Sequence, residues 1–316
     1  MKFHVIVNPA GAGGSVKAFW QQTEPLFHGA DYEVHYSDRE RGIVHLAAEL
    51  TAGQETVNLI IVGGDGSMNE AINGIRDISS VRLGLLPCGS ANDLAKDIGI
   101  APTIEEQVSR ILSGEVRRQI DVGEAVLHTC FACGTSQQLN EKDISLRFNV
   151  SAGIGWDAEI CYCADHSRLK KPLNKIRMGK LIYIAEAART VFGMHPFSCR
   201  VEYEAGQRDF TSCVFCAVMN HRFEGGGFMF GPDAKNNDGI LDLCAVDHIT
   251  PLPFFMLFRK AYSGKQFETE YAHEERSPQF RFHTDRPVYL HTDGEVRYMT
   301  DDATIRLMKE KLNLLF

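Results

Sequence analysis

The chain has 316 residues, of which 44% are hydrophobic and 23% charged, a composition typical of a globular protein with room for two cores. Its net charge of −8 excludes nucleic acid as the main partner, because phosphate backbones are bound by clustered Lys and Arg. Nine cysteines, an odd number in so long a chain, favour reduced thiols and a cytoplasmic protein. The N-terminus has no signal-peptide pattern, and no apolar run approaches the roughly 18 residues that span a bilayer.

The first part of the chain alternates apolar runs with helix-like segments. The runs FHVIVN, VNLIIVGG and VRLGLLP read as strands, and the last two are nearly all apolar, as strands covered by helices on both faces are. This alternation predicts an α/β domain over 1–121, with a parallel sheet and crossover helices. Ligand-binding loops then collect at the carboxyl edge of the sheet.

After Asp121 the pattern changes to short segments of period two, such as LRFNVSA, CRVEYEA and ILDLCAV, separated by Gly, Asn and Asp turns. It predicts a mainly β domain over 122–299, built as a β-sandwich. A helical pattern interrupts it around 180–192. The chain end, about 300–316, fits strand or helix, and we expect it to pack back on the first domain.

Three loops with glycine follow three strands of the first domain, and each opens a helix. They are NPAGAGG at 8–14, GGDGS at 63–67 and PCGSAND at 87–93. Glycine lets the backbone approach a ligand, and helix N-termini offer unpaired N–H groups to phosphate, so the three loops together predict a nucleotide site. There is no P-loop motif. Each loop alone is equally well explained as a structural turn, and an acidic Asp65 beside phosphates requires Mg²⁺ or a hydrogen-bond donor.

These loops resemble the three nucleotide-site blocks of the diacylglycerol kinase catalytic-domain family, in the segments NPAGAGG, IIVGGDGSMNEAINGI and LGLLPCGSANDLAKDIGI. Sphingosine kinases and bacterial lipid kinases belong to this family, and NAD kinases are related to it. The resemblance continues through RFNVSAGIGWDAEI, FGPDAKNNDGILDL and HTDGE, which covers nearly the whole chain. It implies an NAD kinase-like fold and an ATP-dependent lipid kinase whose acceptor is a hydroxyl of diacylglycerol or a related lipid.

The resemblance also implies the residues that bind ATP. Ser67 stands where Thr is usual and keeps the hydroxyl, and Ser37 resembles a family Thr near the nucleotide. The implied set is Asn8, Pro9, Gly11, Gly13, Ser37, Gly63, Gly64, Asp65, Gly66, Ser67, Asn69, Glu70, Gly89, Ser90, Asn92 and Asp93.

Acidic residues of the later segments carry the remaining implied roles. Asp238 and Asp242 resemble a turn that organises a divalent-ion site, and Mg²⁺ is the implied ion. HTDGE resembles the block that supplies the catalytic base, so we favour Glu295 as the proton acceptor, with Asp293 and Asp65 as the other catalytic carboxylates. Spacing does not decide between Glu295 and Asp293. The Asp238-Gly239 turn is equally well explained as a structural hairpin, and HTDGE taken alone would favour a hairpin.

Two other functions stay open: an NAD kinase-like enzyme with a soluble substrate, and a nucleotide-binding regulatory protein without turnover. The block LPCGSANDLA resembles the lipid-kinase branch, and retention of the carboxylates argues against lost catalysis. A lipid kinase predicts an apolar cleft opening toward Glu295, whereas an NAD kinase predicts a polar pocket. The expected partner is a lipid at the membrane surface, through peripheral contact, and a homodimer is one option. The sequence does not name the acceptor lipid.

Three further features have structural explanations that we favour. The basic run from Arg168 to Lys180 fits a solvated face better than a membrane contact. PLPFFMLFRKAY at 251–262 fits a core helix better than a lipid contact. Two Cys-x-x-Cys pairs, Cys130 with Cys133 and Cys213 with Cys216, suggest buried thiols rather than zinc, because Cys213 and Cys216 would face opposite sides of one strand.

Overall fold

A computed structural model describes residues 1–38, 40–53, 55–89, 91–135, 137–167, 186 and 189–316. It divides into two compact units. Unit 1 comprises Met1–Val122 together with Lys309–Phe316, and unit 2 comprises Gly123–Met308. Ser90 and the basic run 168–180 lie outside the described residues.

The elements of unit 1 begin with β1 (Lys2–Val7), α1 (Ser15–Thr23), β2 (Asp31–Tyr36), α2 (Ile43–Leu50), β3 (Val57–Gly63), α3 (Asp65–Gly74), β4 (Val81–Pro87), α4 (Asp93–Ile98), α5 (Ile104–Leu112) and β5 (Arg118–Ile120). Unit 2 follows with β6 (Gly123–Leu127), β7 (Ile144–Phe148), β8 (Ser151–Gly155), α6 (Trp156–His166), β9 (Phe197–Tyr203), β10 (Gly206–Met219), β11 (Leu241–Asp247), α7 (Pro251–Ala261), β12 (Ala272–Ser277), β13 (Gln279–Thr292) and β14 (Glu295–Leu307). The last strand, β15 (Leu312–Leu314), belongs to unit 1.

Unit 1 is built on a six-stranded sheet in the order β2-β1-β3-β4-β15-β5. Strands β1 to β4 are parallel, and β15 runs parallel to β4 but antiparallel to β5. Six of the seven residues of β3 are buried, as a strand between two helical layers requires. The predicted α/β architecture is therefore confirmed.

Helix α5 shows how the local sequence fixes these elements. Thr103 caps its first turn by accepting a hydrogen bond from the Glu106 N–H, and Glu105 and Glu106 lie at the positive end of the helix. The apolar face buries Val108 and Ile111. A Cβ at Gly84 of β4 would lie 2.9 Å from the Ile111 side chain, so the absence of a side chain there lets the helix pack closely on the sheet.

Unit 2 is an antiparallel sheet whose path runs β12-β11-β10-β8-β13-β14-β6-β7, with β9 paired to β10 and β13. One face buries a cluster that includes Phe148, Phe280 and Phe282. A second cluster joins Trp156 of α6 and Phe254 of α7 to Phe215 of β10. The end of β10 is buried at every residue because both of its faces are covered. The β-rich second domain is confirmed.

The chain end differs in detail from the expectation. Residues 300–307 continue β14 inside unit 2, because their alternating pattern pairs with β13 from Thr300↔Val288 to Arg306↔Gln279. Lys309–Phe316 belongs to unit 1, where β15 lies between β4 and β5. An ion pair of 2.8 Å between Lys311 Nζ and Asp121 Oδ1 joins this C-terminal segment to the residue that follows β5. Of the predicted helix around 180–192, residues 186 and 189–191 are described and are helical.

The strand that carries Cys213 and Cys216 is irregular. Its pairing shifts between Phe210 and Cys213 on one side and between Cys213 and Phe215 on the other. The two sulfurs lie 3.6 Å apart, so the expectation that they face opposite sides was wrong, because a regular pleat was assumed. All nine cysteines are unbridged thiols.

No helix in the described part of the chain combines the length and apolar character that crossing a bilayer requires.

Candidate active site

The first loop of unit 1 is organised by Asn8, directly after β1. Its carbonyl accepts the Gly11 N–H at 3.0 Å, and its side-chain oxygen accepts the Ala10 N–H at 3.1 Å. Gly13 has φ +69, a conformation that favours glycine. Pro9 and Gly11 lie within this turn, so the predicted residues of the first loop come together at the carboxyl end of β1.

The second and third loops touch through their backbones. A Cβ on Gly64 would lie 2.8 Å from the Gly89 Cα, and a Cβ on Gly89 would lie 2.6 Å from the Gly64 Cα. The Cys88 N–H donates to the Gly63 carbonyl at 3.0 Å, which continues the β3–β4 pairing into the loops. The Ser67 side chain occupies the space where Gly63 would carry a Cβ. Glycine is therefore required here by contact between neighbouring chain segments.

Asp65 joins these two loops. It begins α3, and its carboxylate accepts the Asp93 N–H at 3.0 Å and the Leu94 N–H at 3.3 Å. Both donors open α4, where unpaired N–H groups and the helix dipole favour a negative charge. Asn92, with φ +53, closes the turn by bonding both the N–H and the carbonyl of Gly89. Asp65 thus fixes the third loop relative to the second.

The other residues predicted to bind the nucleotide lie on helices α3 and α4 and after strand β2. Asn69 is fully buried on α3 and accepts hydrogen bonds from Asn73. Gly66 and Glu70 lie on the same helix, and Ser37 lies at the end of β2, where its N–H donates to the Val7 carbonyl. The Asp93 carboxylate lies 3.0 Å from Lys96 Nζ. The loops that follow β1, β3 and β4 are therefore neighbours, with Ser37 one strand further out.

In unit 2, the predicted base lies at the hairpin between β13 and β14. Asp293 and Gly294 have φ +52 and +83, as a tight Asp-Gly hairpin turn requires. The Asp293 carboxylate accepts the N–H groups of Asn149 at 2.9 Å, Val150 at 2.8 Å and Ser151 at 3.1 Å. Three such bonds stabilise the ionised carboxylate and make it a poor proton acceptor. Asp293 therefore holds the turn, which leaves Glu295 as the better candidate for the base.

His291 lies fully buried beneath the same turn. Its Nδ1 accepts the Gly294 N–H at 3.2 Å, which places the proton of the neutral ring on Nε2. Nε2 lies 3.3 Å from Asp157 Oδ2 and 3.1 Å from Glu224 Oε1. Gly153 is required beside them, because a Cβ there would overlap the Asp157 and His291 side chains. The turn thus rests on a buried histidine between two carboxylates.

Opposing effects act on the protonation of His291 and its two carboxylate neighbours. Burial raises the pKa of Asp157. Burial also disfavours a charged His291, but Glu224 and Asp157 outweigh it and raise the pKa of the imidazole. A second proton on Nδ1 would break the bond from Gly294, so the backbone opposes the cation that the carboxylates favour. Glu224 Oε2 is buried and has no hydrogen-bond donor among the described residues.

The same three side chains bring their potential ligand atoms within 4.8 Å of one another. A metal ion on Nε2 would need the lone pair of that nitrogen. The bond from the Gly294 N–H uses the lone pair of Nδ1 and leaves the proton on Nε2. We therefore interpret Asp157, Glu224 and His291 as a hydrogen-bonded support of the turn rather than a metal centre.

The predicted ion site at Asp238 and Asp242 already contains a cation. Arg276 Nη2 lies 3.5 Å from Asp238 Oδ2, and Arg276 Nε lies 2.9 Å from Asp242 Oδ1. The second contact is not an aligned hydrogen bond, because neither oxygen of Asp242 has a hydrogen-bond donor in the described chain. Burial raises the pKa of Asp242 to about 6. Oxygens without donors suit Mg²⁺, but the ion would have to displace the guanidinium, so these residues fit it poorly and we derive no step from an ion there.

Unit 2 also contains a cavity of about 350 Å³. Glu159, His195 and Arg286 supply its ionisable lining, and burial raises the pKa of Glu159 although nearby basic residues oppose the rise. Glu295 is not among the residues described as lining it, contrary to the cleft expected from the sequence. The apolar walls are Trp156, Met194, Phe197, Val214, Pro287, Val288 and Met299. The mixed lining suits a molecule with both apolar and polar parts.

The cluster beneath the turn was not predicted from the sequence. Asn149 and Asp157 lay in RFNVSAGIGWDAEI and His291 in HTDGE, both of which carried the resemblance, but no role was given to them. The polar side chains within these otherwise apolar segments were the available signal. Glu224, beside three glycines, gave none.

An α/β unit whose parallel strands end in contacting glycine loops, followed by an antiparallel β unit, is typical of the NAD kinase-like fold. The family model for the diacylglycerol kinase catalytic domain matches residues 2–125, and that for the YegS C-terminal NAD kinase beta sandwich-like domain matches residues 150–316. The chain therefore belongs to the diacylglycerol kinase family of lipid kinases.

Individual proteins agree with this assignment. A diacylglycerol kinase of Bacillus subtilis strain 168 is 25% identical over 310 residues, covering 96% of this chain and 93% of that protein. The crystal structure of a diacylglycerol kinase from Bacillus anthracis strain Sterne is 20% identical, with a TM-score of 0.67 and coverage of 100% and 96%. An NAD kinase from Archaeoglobus fulgidus in complex with ATP is 10% identical, with a TM-score of 0.51 and coverage of 100% and 94%. The two structures support the fold alone.

Proposed function

We propose that this chain is an ATP-dependent lipid kinase, which transfers the γ-phosphate to a hydroxyl of diacylglycerol or a related lipid. The observation that carries the proposal is the backbone contact between Gly64 and Gly89. Hydrogen bonds that two N–H groups at the start of α4 donate to the Asp65 carboxylate hold this contact. Glycine loops that follow parallel strands and lead into helices are typical phosphate-binding elements, because helix N-termini offer N–H groups without intrahelical partners. Family membership supports a kinase over a regulatory protein.

We assign ATP to the three loops of unit 1. Backbone donors around Gly13, Gly64 and Gly66 would hold the phosphates, since glycine lets a ligand approach the backbone closely. The N–H groups of Gly11 and Gly89 instead shape the loops, because they donate to Asn8 and Asn92. Mg²⁺ bound with ATP would neutralise charge on the transferring phosphoryl group. Asp65 would orient the loops, because its oxygens already accept two backbone N–H groups.

Glu295 is our candidate for the base. During transfer the acceptor oxygen bonds to the γ-phosphorus, the bond from that phosphorus to ADP breaks, and the hydroxyl proton passes to the Glu295 carboxylate. Asp293 would keep the turn rigid through its three backbone bonds. His291 would support the turn from below through Gly294.

Two features of unit 2 support a lipid acceptor. The cavity of about 350 Å³ combines apolar walls with charged groups, as an amphiphile requires. Helix α7 buries Phe254, Leu257 and Ala261 but exposes 78% of Leu252 and 68% of Met256 on its opposite face. Exposed apolar side chains on one helix face favour contact with a membrane surface. We therefore include a peripheral membrane contact in the proposal.

The test is transfer of label from γ-labelled ATP with Mg²⁺ to diacylglycerol, other hydroxyl lipids and NAD in mixed micelles. We expect label in a lipid, and its loss in Glu295→Gln. The matched control is Glu204→Gln, at an exposed residue of the same unit, which should retain transfer. Label in NAD would contradict the lipid acceptor, and the absence of label from every acceptor would contradict the kinase.

A further inference from the structure

The edge of the unit 1 sheet carries a pair of histidines away from the glycine loops. Strands β1 and β2 are parallel and pair in register, with His4 opposite Glu33 and Ile6 opposite His35. Registered residues of neighbouring parallel strands point to the same face, so these polar side chains share one face. His4 Nδ1 lies 3.1 Å from His35 Nε2. Six paired residues hold the two backbones in place.

The spacing of the ligand atoms fits a small metal ion. Zinc binds imidazole nitrogen at about 2.0 to 2.1 Å, so two nitrogens on a tetrahedral zinc lie about 3.3 Å apart. The observed separation of 3.1 Å is close to this value. Glu33 Oε2 lies 4.0 Å from His4 Nδ1. This distance is about 0.6 Å longer than the distance between two ligand atoms on a tetrahedral zinc ion. Half of the Glu33 side chain is exposed, so rotation can close this gap.

The tautomers of the two rings allow both facing nitrogens to bind a metal ion. The contact between the rings uses one proton on a facing nitrogen. If that proton moves to the other nitrogen of the same ring, both facing nitrogens have a free lone pair. The two lone pairs can then bind the same metal ion. The buried His291 differs, because its backbone donor fixes the tautomer.

We propose that His4, His35 and Glu33 form a binding site for a borderline transition-metal ion, with Zn²⁺ as the best match to two imidazoles, one carboxylate and a water. A bound ion would cross-link the edge strand β2 to β1. The site is independent of the proposed kinase activity, since none of its ligands has been assigned to ATP or to the acceptor.

Lys2 competes with the ion. Its Nζ lies 2.8 Å from Glu33 Oε2, so a metal must displace an ammonium from the carboxylate. Both side chains of this pair are half exposed, and surface ion pairs of this kind contribute little to stability. Removing the Lys2 charge should therefore strengthen metal binding, whereas removing an imidazole should weaken it.

The test is titration of untagged protein with Zn²⁺ against a chromogenic chelator, under conditions that keep the nine thiols reduced. We expect His35→Gln to weaken binding at this site at least about tenfold, and Lys2→Met to strengthen it. The matched control is His45→Gln: His45 is an exposed histidine 3.9 Å from a carboxylate of Glu49 but belongs to neither of the ligand groups found in the described chain.

Thermal unfolding provides a second measurement on the same variants. Zn²⁺ should raise the midpoint of wild type and of His45→Gln, but not that of His35→Gln, because an ion bound only by the folded state stabilises it. Equal Zn²⁺ affinity in wild type and His35→Gln would overturn the proposal. Weaker binding in Lys2→Met would overturn the role of Glu33 as a ligand. Circular dichroism of each variant without metal shows whether its fold is retained.

Discussion

In unit 1 the candidate site is built from backbone in close contact, whereas in unit 2 it is built from charged side chains around a buried histidine. Gly64 and Gly89 meet with no room for a side chain, and Asp65 binds N–H groups of α4. In unit 2, His291 lies between Asp157 and Glu224 beneath the turn that precedes Glu295. A backbone site should be damaged by added volume, and a side-chain site by changed charge.

Added volume in the unit 1 loops should produce the largest effect. In Gly89→Ala the new Cβ would lie 2.6 Å from the Gly64 Cα, so one loop must move. We expect weaker ATP binding by calorimetry, and a loss of turnover of about 100-fold, because misplacing a reacting group by about 1 Å costs a factor of that size in rate. Gly53→Ala is the control, because its Cβ would meet nothing nearer than 3.9 Å. Unchanged ATP affinity in Gly89→Ala would show that the loop contact is not part of the site.

The two units also differ in how much of each could be predicted from sequence. Strands β3 and β4 and their loops were predictable, because an apolar run and the glycines after it are adjacent in the chain. The cluster in unit 2 draws Asp157 from α6, Glu224 from a loop and His291 from β13. No local pattern links these positions, since strand pairing brings them together. The choice between Asp293 and Glu295 as the candidate base likewise depends on the hydrogen bonds that the N–H groups of residues 149–151 donate to Asp293. These bonds are visible only in the structure.

Substitutions on the exposed face of α7 should have an intermediate effect, which is on membrane binding. Burying a Leu or Met side chain contributes about 1.5 to 3 kcal/mol, so the double change Leu252→Gln with Met256→Gln should weaken binding to phosphatidylglycerol vesicles at least about tenfold in a sedimentation assay. Thermal stability should not change, because both side chains are largely exposed. Val116→Gln is the control at an exposed apolar residue of unit 1.

A second copy of the chain is the competing partner for this face. Analytical ultracentrifugation distinguishes the two cases, because a dimer interface would make wild type dimeric and the double variant monomeric. Vesicle binding that survives the double change would contradict membrane contact through α7.

The smallest effect should come from the buried carboxylate Asp242. Burial raises its pKa from the ordinary 3.8 to about 6, so between these values the folded state holds a proton that the unfolded state has released. Wild type should therefore lose stability as pH rises from about 4 to 6. Asp242→Asn should remove this loss and gain about 1 kcal/mol at pH 7, allowing for partial screening by solvent.

Chemical unfolding at several pH values measures this difference. Asp238→Asn is the matched control, because Asp238 is exposed and contacts the same Arg276. Parallel stability profiles for wild type and Asp242→Asn would show that the Asp242 carboxylate is ionised in the folded protein throughout this range.

The contrast between the two units is tested most directly by measuring ATP affinity and turnover together in Gly89→Ala and Glu295→Gln. Glu295→Gln should bind ATP as wild type does and lose about 100-fold to 10,000-fold in turnover, because general-base catalysis contributes a factor of that size. Gly89→Ala should lose ATP affinity. Weakened ATP binding in Glu295→Gln, or undiminished turnover, would contradict the assignment of nucleotide binding to unit 1 and of proton transfer to unit 2.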